Sequence, residues 1–319
     1  MTKRRLILSG LAALGVAAAG GLWWHRSTGA AARAGQARAQ TLYDTPLTPP
    51  EGPLRVFHLG HSLVGQDMPA MLAQLAGQGH RYESQLGWGT PLQDHWEPDL
   101  EINGFDTSND HPRYRDARTG IASGEYDAVV LTEMVEINDA IAYFDSATYL
   151  ARWAQLARAG RSDTRVYLYE TWHHTNDPAG WLDRLDADLD QHWLKGVLYP
   201  ALGKDAPPLH LIPAGQVMAA FVRAVTQAGG VDGITTVQDL FGVQEDGSPD
   251  TIHLNDMGAY LVALTHYAVL YHRSPEGLPH ALARADGSAA DAPGADAAAL
   301  MQKTVWDVVR RIPMTGVAA

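Results

Sequence analysis

An Asp and a His three residues apart, in a loop led by glycine and proline, can make a hydrogen-bonded acid–base pair. Gly247-Ser248-Pro249-Asp250-Thr251-Ile252-His253-Leu254-Asn255 has that form, and it is the one Asp-x-x-His in a chain with 14 His. The carboxylate can accept the imidazole Nδ1–H, which fixes the tautomer and leaves Nε2 free as a base. The same residues read equally well as an Asp that caps a turn and a His that caps the following helix. Far upstream, Gly60-His61-Ser62-Leu63-Val64-Gly65 places a serine directly after an apolar run. On a strand-to-helix turn such a hydroxyl can face a pocket, and its own N–H can point at an incoming carbonyl oxygen.

These residues need a scaffold that brings them together. Apolar runs at Leu54–Leu59, Tyr82–Leu86, Ala128–Thr132, Arg165–Glu170 and Leu209–Pro213 predict strands. Helical spacing or composition predicts helices over Met68–Ala76, Tyr149–Ala159, Trp181–Leu198, Val217–Thr226, Met257–Tyr271 and Ala297–Arg311. Strands alternating with helices imply an α/β fold whose parallel sheet is covered on both faces. The runs lack polar alternation, as strands buried on both sides do. In such sheets ligands sit at the carboxyl ends of the strands, where Ser62 falls. One domain over 54–313 is the simplest description, with an Ala/Pro/Gly/Asp-rich surface excursion at 275–299.

Together, Gly60-His61-Ser62-Leu63 and Asp250-Thr251-Ile252-His253 resemble the first and last blocks of the SGNH hydrolase superfamily, the GDSL-type esterases and lipases. The resemblance spans roughly residues 54–272. It implies a three-layer α/β/α sandwich with a parallel, flavodoxin-like sheet of about five strands. It also implies Ser62 as nucleophile, His253 as base and Asp250 as its orienting acid. The family's oxyanion hole would draw on the N–H of Ser62 and on a glycine after the second strand. Gly89, followed by Thr90, is the better match in Leu86-Gly87-Trp88-Gly89-Thr90, with Gly87 as the alternative. The family's Gly-x-Asn-Asp block should follow Ala128–Thr132. This chain has Thr132-Glu133-Met134-Val135-Glu136-Ile137-Asn138-Asp139 instead. Asn138 is the candidate amide donor, with Glu133 or Glu136 as the alternatives for that place. His61 departs as well, standing where the family usually has Asp.

Tyr169-Glu170-Thr171-Trp172-His173-His174 closes the fourth predicted strand, so Trp172 and His173 are expected at the pocket wall, with His61 and Glu133 as further lining candidates. Trp88, Trp96 and Trp172 suit sugar stacking or packing. His58, His61, Asp94, His95, Glu170, His173 and His174 hold the donor types of a metal site, but no helical Glu-x-x-His pairs them. No metal is expected. No Gly-rich phosphate cradle is present, so no cofactor is expected either.

Composition narrows the class. The chain has no Cys, which removes disulfides, thiolate metal sites and a Cys nucleophile. Residues 1–39 hold six cations and no acid, so the remainder carries 18 cations against 36 acids, a net of −18. That balance excludes a nucleic-acid partner, which requires a basic face. Lys3, Arg4 and Arg5 precede an uncharged run, Leu6–Trp24, and small-x-small steps follow at Ala32-Arg33-Ala34 and Ala37-Arg38-Ala39. This is the layout of an export signal of twin-arginine-like or Sec type, with an uncleaved anchor facing outside as the alternative. Residues 40–53 hold four prolines and read as an extended linker. The reading is an exported, periplasmic or extracellular serine esterase, with acetylated glycans or other small esters as substrates. A non-catalytic glycan-binding or assembly module and a metal-dependent hydrolase are the competing readings.

Overall fold

The computed structural model describes residues 29–319. Five strands form one sheet: β1 (Arg55–His61), β2 (Arg81–Gly87), β3 (Ala128–Thr132), β4 (Arg165–Glu170) and β5 (Leu209–Pro213). All pair in parallel, in the order β2-β1-β3-β4-β5. Every residue of β3 and β5 is buried, which is why these segments show apolar runs without alternation.

Side chains still alternate between the faces. Val56, Val130, Tyr167 and Ile212 pack into one core, with helices α2 (Asp67–Ala76), α10 (Ala214–Ala228), α11 (Asp256–Tyr271) and α12 (Ala295–Arg311). Phe57, Leu59, Val129, Leu131, Val166, Leu168 and Leu211 pack into the other. That second core holds α5 (Ala117–Ala122), α7 (Ser146–Gly160), a π-helical stretch (Leu189–Leu198) that continues α8 (Trp181–Asp188), and α9 (Tyr199–Leu202). The molecule is therefore a three-layer α/β/α sandwich. α11 is buried at every residue from Gly258 to Tyr271, as a helix apolar on all sides must be.

Three features depart from the expectation. Short helices α3 (Leu92–Trp96), α4 (Phe105–Asn109) and α6 (Ile137–Tyr143) fill the loops after β2 and β3. The Gly/Pro-led stretch from Gly247, read as a loop, belongs to an antiparallel hairpin of β6 (Phe241–Val243) and β7 (Pro249–Leu254). The third departure concerns the amino-terminal boundary. The Leu6–Trp24 run lies outside the described residues, but residues 29–42 form a helix, α1, docked on the second core. Ala39 is buried there. Arg38 Nη1 donates to the Leu202 and Ala206 carbonyls at 3.1 and 2.5 Å, and the Tyr43 hydroxyl to Leu209 O at 2.7 Å. A Cβ on Gly35 would fall 1.7 Å from Tyr199 O, and one on Gly203 1.9 Å from Ala31 O. Glycine at both positions lets the backbones touch. A boundary at residue 39 thus cuts a packed helix.

Candidate active site

Ser62 opens the turn after β1, which closes through Val64 N donating to His61 O at 2.9 Å. His253 lies near the end of β7 and Asp250 near its start. The strand is pinned at successive residues. Trp172 Nε1 donates to Ile252 O at 2.8 Å, Thr175 N to Thr251 O at 2.8 Å, and Gln238 Nε2 to Asp250 O at 2.8 Å. Asn255, not His253, caps α11, its Oδ1 accepting from Gly258 N at 3.1 Å. That leaves the imidazole free to turn towards β1.

The three side chains meet. Ser62 Oγ lies 3.1 Å from His253 Nε2, and His253 Nδ1 lies 2.9 Å from Asp250 Oδ2. Asp250 Oδ1 accepts the N–H of Ile252 at 2.8 Å and of His253 at 2.9 Å. Burial raises the Asp250 carboxyl's pKa, but these two amides and the ring outweigh it and hold the group below its ordinary range. Asp250 therefore stays ionised and draws the ring proton to Nδ1. Nε2 is left as the acceptor facing the serine.

The serine and histidine line a pocket of about 470 Å³ with His61, Leu63, Trp88, Gly89, Val135, His174 and Ile252. Neither Ser62 N nor Gly89 N has an acceptor among the described residues. Gly89 has φ +58°, a left-handed conformation that glycine adopts without cost, and a Cβ there would meet open space. Gly87 is elsewhere: a Cβ on it would fall 2.2 Å from Thr90 Oγ1, so its role is close packing.

The other predicted residues divide. His61 lines the pocket with an almost wholly buried ring, its Nε2 donating to Glu133 O at 2.8 Å and its Nδ1 accepting from Leu63 N at 3.4 Å. Burial pushes its pKa down to about 4, so the ring is neutral and ties the β1 turn to the end of β3. Glu133 does not line the pocket. It is fully buried, with Oε1 accepting from Leu92 N at 3.2 Å and Met134 N at 2.9 Å, and burial pushes it up to about 7. Asn138 is not brought to the pocket. It sits exposed on α6 with Nδ2 donating to Glu136 Oε1 at 3.3 Å. Trp172 is buried and supports β7 from behind.

His173 is also buried and faces away, its Nε2 2.9 Å from Asp188 Oδ2 but off hydrogen-bonding geometry. Its neighbour His174, which the sequence suggests only as a metal-donor type, is the one that lines the pocket, with Nδ1 2.8 Å from Thr251 Oγ1. Val135 also joins the pocket without having been singled out.

Of the residues with metal-ligating chemistry, His173 joins Glu136 and Asp188 in a cluster of suitable spacing. A cation is already there. The Arg184 guanidinium bonds Glu136 at 2.5 and 2.7 Å, Asp188 at 2.7 Å and Asp177 at 2.7 Å. The cluster locks the loop after β3 to α8. Glu170 lies apart from it, fully buried, with Gln216 N donating to Oε2 and Gln216 Nε2 to Oε1, both at 3.2 Å, and burial pushes it up to about 8.

No protein-family model matches this chain, and no curated protein matches it in sequence.

Proposed function

We propose that this protein is a serine hydrolase of SGNH type that cleaves carboxylic esters through an acyl-enzyme. The observation that carries the reading is the relay from Asp250 through His253 to Ser62 at the carboxyl end of the sheet, with distances of 2.9 and 3.1 Å. His253 Nε2 takes the Ser62 proton as Oγ attacks the ester carbonyl. The imidazolium is held by Asp250 and returns the proton to the leaving alkoxide. Water then attacks the acyl-serine by the same route in reverse.

The unpaired amides of Ser62 and Gly89 hold the tetrahedral oxyanion, each such donor contributing on the order of 10²–10³ in rate. Asn138 is dropped from that set, and both donors are backbone. The export layout of the amino terminus supports an extracytoplasmic location. O-acetyl groups on glycans and other small exported esters are the substrates we favour, with the exposed Trp88 indole as a stacking surface beside Gly89. Turnover of p-nitrophenyl acetate by the purified protein, abolished in Ser62→Ala and unaffected by a chelator, tests the reading. Full turnover in Ser62→Ala overturns the serine mechanism. Inert wild-type protein that is folded favours a binding module on the same fold.

A further inference from the structure

We propose that the working protein keeps α1 together with the Leu6–Trp24 segment, and that this tether holds the catalytic end of the sheet against a lipid bilayer. The first ground is the direction of α1. Its end at Tyr43 meets Leu209, the first residue of β5, at the amino end of the sheet. Its start, Gly29 and Ala32, borders a groove with Ile141 of α6 and Ser146 and Ala147 of α7. Those residues lie just past the carboxyl end of β3. At about 1.5 Å per residue the 14 residues of α1 cover about 20 Å, the height of the sheet. The chain therefore enters the domain at the end where Ser62 sits.

The second ground is length. Only His25, Arg26, Ser27 and Thr28 separate Trp24 from Gly29. That stretch reaches at most about 17 Å. The uncharged run before it has 19 residues, close to the ~20 that span a bilayer. The small-x-small steps at Ala34 and Ala39, where removal was expected, lie inside the docked helix. A cut after Ala34 would take away the Ala31 contact with Gly203, and one after Ala39 the Arg38 bonds as well.

The third ground is independent of the tether. Among the described residues five large apolar side chains are exposed: Trp88, Leu100, Tyr114, Tyr143 and Val243. Four of them belong to segments around the catalytic end. Trp88 lines the pocket. Leu100 lies in the loop whose Asn103 carbonyl accepts the Trp88 N–H at 2.7 Å. Tyr143 ends α6, and Val243 pairs with Pro249 on the hairpin that carries Asp250. Trp and Tyr are the side chains that favour the headgroup level. The same segments expose Asp139, Asp145, Glu245 and Asp246. The surface fitted is thus a zwitterionic headgroup layer rather than an anionic one. Among the described residues no helix is long and apolar enough to cross a membrane, so attachment falls to the leading segment.

The absence of Cys makes the test direct, because one introduced thiol is the only one. Tyr143→Cys and Val243→Cys mark the catalytic end. Asp163→Cys, before β4, marks the other. Each full-length variant carries an environment-sensitive fluorophore and is reconstituted into phosphatidylcholine vesicles containing a nitroxide-bearing phosphatidylcholine. Quenching at residues 143 and 243 should exceed that at 163 several-fold, and intact mass of the exported protein should place its amino terminus before Leu6. Equal quenching at the three sites, stronger quenching at 163, or an amino terminus beyond Trp24 overturns the proposal. The readout is position alone, so it stands or falls separately from catalysis by Ser62.

Discussion

Asp250→Asn isolates what the buried carboxylate does, because the structure dictates how the amide must sit. Oδ1 accepts two backbone N–H groups at 2.8 and 2.9 Å, and Oδ2 faces His253 Nδ1 at 2.9 Å. In the variant the amide oxygen stays on the two N–H groups. The reverse orientation would set an NH₂ against two donors and forfeit two hydrogen bonds of about 1 kcal/mol each. The NH₂ then points at Nδ1 and forces the proton onto Nε2. A protonated Nε2 cannot take the Ser62 proton. Loss of the correct tautomer in a triad costs about 10⁴ in kcat, or about 5.5 kcal/mol of transition-state stabilisation. The amide contacts survive, so unfolding stability should change by less than about 1.5 kcal/mol. Steady-state kinetics on p-nitrophenyl acetate, run beside thermal melts, separate the two quantities. A variant within tenfold of the parent kcat would refute the reasoning, as would one whose activity falls only because it unfolds.

Trp172→Phe deletes one 2.8 Å bond to Ile252 O and should lower stability by about 1 kcal/mol, with kcat falling more than KM rises because the strand carrying His253 loosens; an unchanged kcat would place the support elsewhere. A chain beginning at Gln40 loses the Arg38 bonds and the Ala39 packing, and denaturant melts should show it at least about 3 kcal/mol less stable than one beginning at Gly29. Burial pushes His61, His80, His95, His210, His266 and His272 down to about 4 from an ordinary value near 6.5. The unfolded chain binds more protons between those values, so their contribution is complete above about 6.5 and is lost as pH falls towards 4. Burial pushes Glu133 and Glu170 the opposite way, to about 7 and about 8, so their contribution is complete below about 4.5 and is lost as pH rises through those values. Thermal melts across pH should therefore peak near neutrality with a steep acid limb, and a flat profile from pH 4 to 7 would contradict the burial of these rings.

The sheet was legible because parallel strands buried on both faces must be apolar throughout, and Ala128-Val-Val-Leu-Thr132 leaves no other use for itself. Asp250 and His253 were legible because a three-residue spacing lets one side chain reach the next. Ser62 stood out by its place after β1 only in company with the Asp250–His253 pair, since most serines in such turns are simply solvated. The short helices α3, α4 and α6 have five to seven residues, fewer than two turns, so no periodicity could announce them. α1 was hidden differently. It docks through Gly35, Ala39 and Arg38 rather than an apolar stripe, and small residues near an amino terminus look like a processing site. Asn138 misled because an Asn-Asp pair after β3 matches a known block by letter. Arg184 clamps Glu136, and Glu136 takes the Asn138 amide, so the side chain is turned to α6 instead of the pocket. Choosing His174 over His173 required knowing which way the chain leaves β4, and that is set by Trp172 burying its ring beneath β7.

Ser62 as an activated nucleophile is the claim on which the rest depends. Reaction of the folded protein with a fluorophosphonate, followed by peptide mapping, measures it most directly. The account predicts a single phosphonyl adduct on Ser62, absent in Ser62→Ala and formed orders of magnitude more slowly in Asp250→Asn. A folded protein that takes up no label at Ser62, or takes it up equally fast without Asp250, would contradict it.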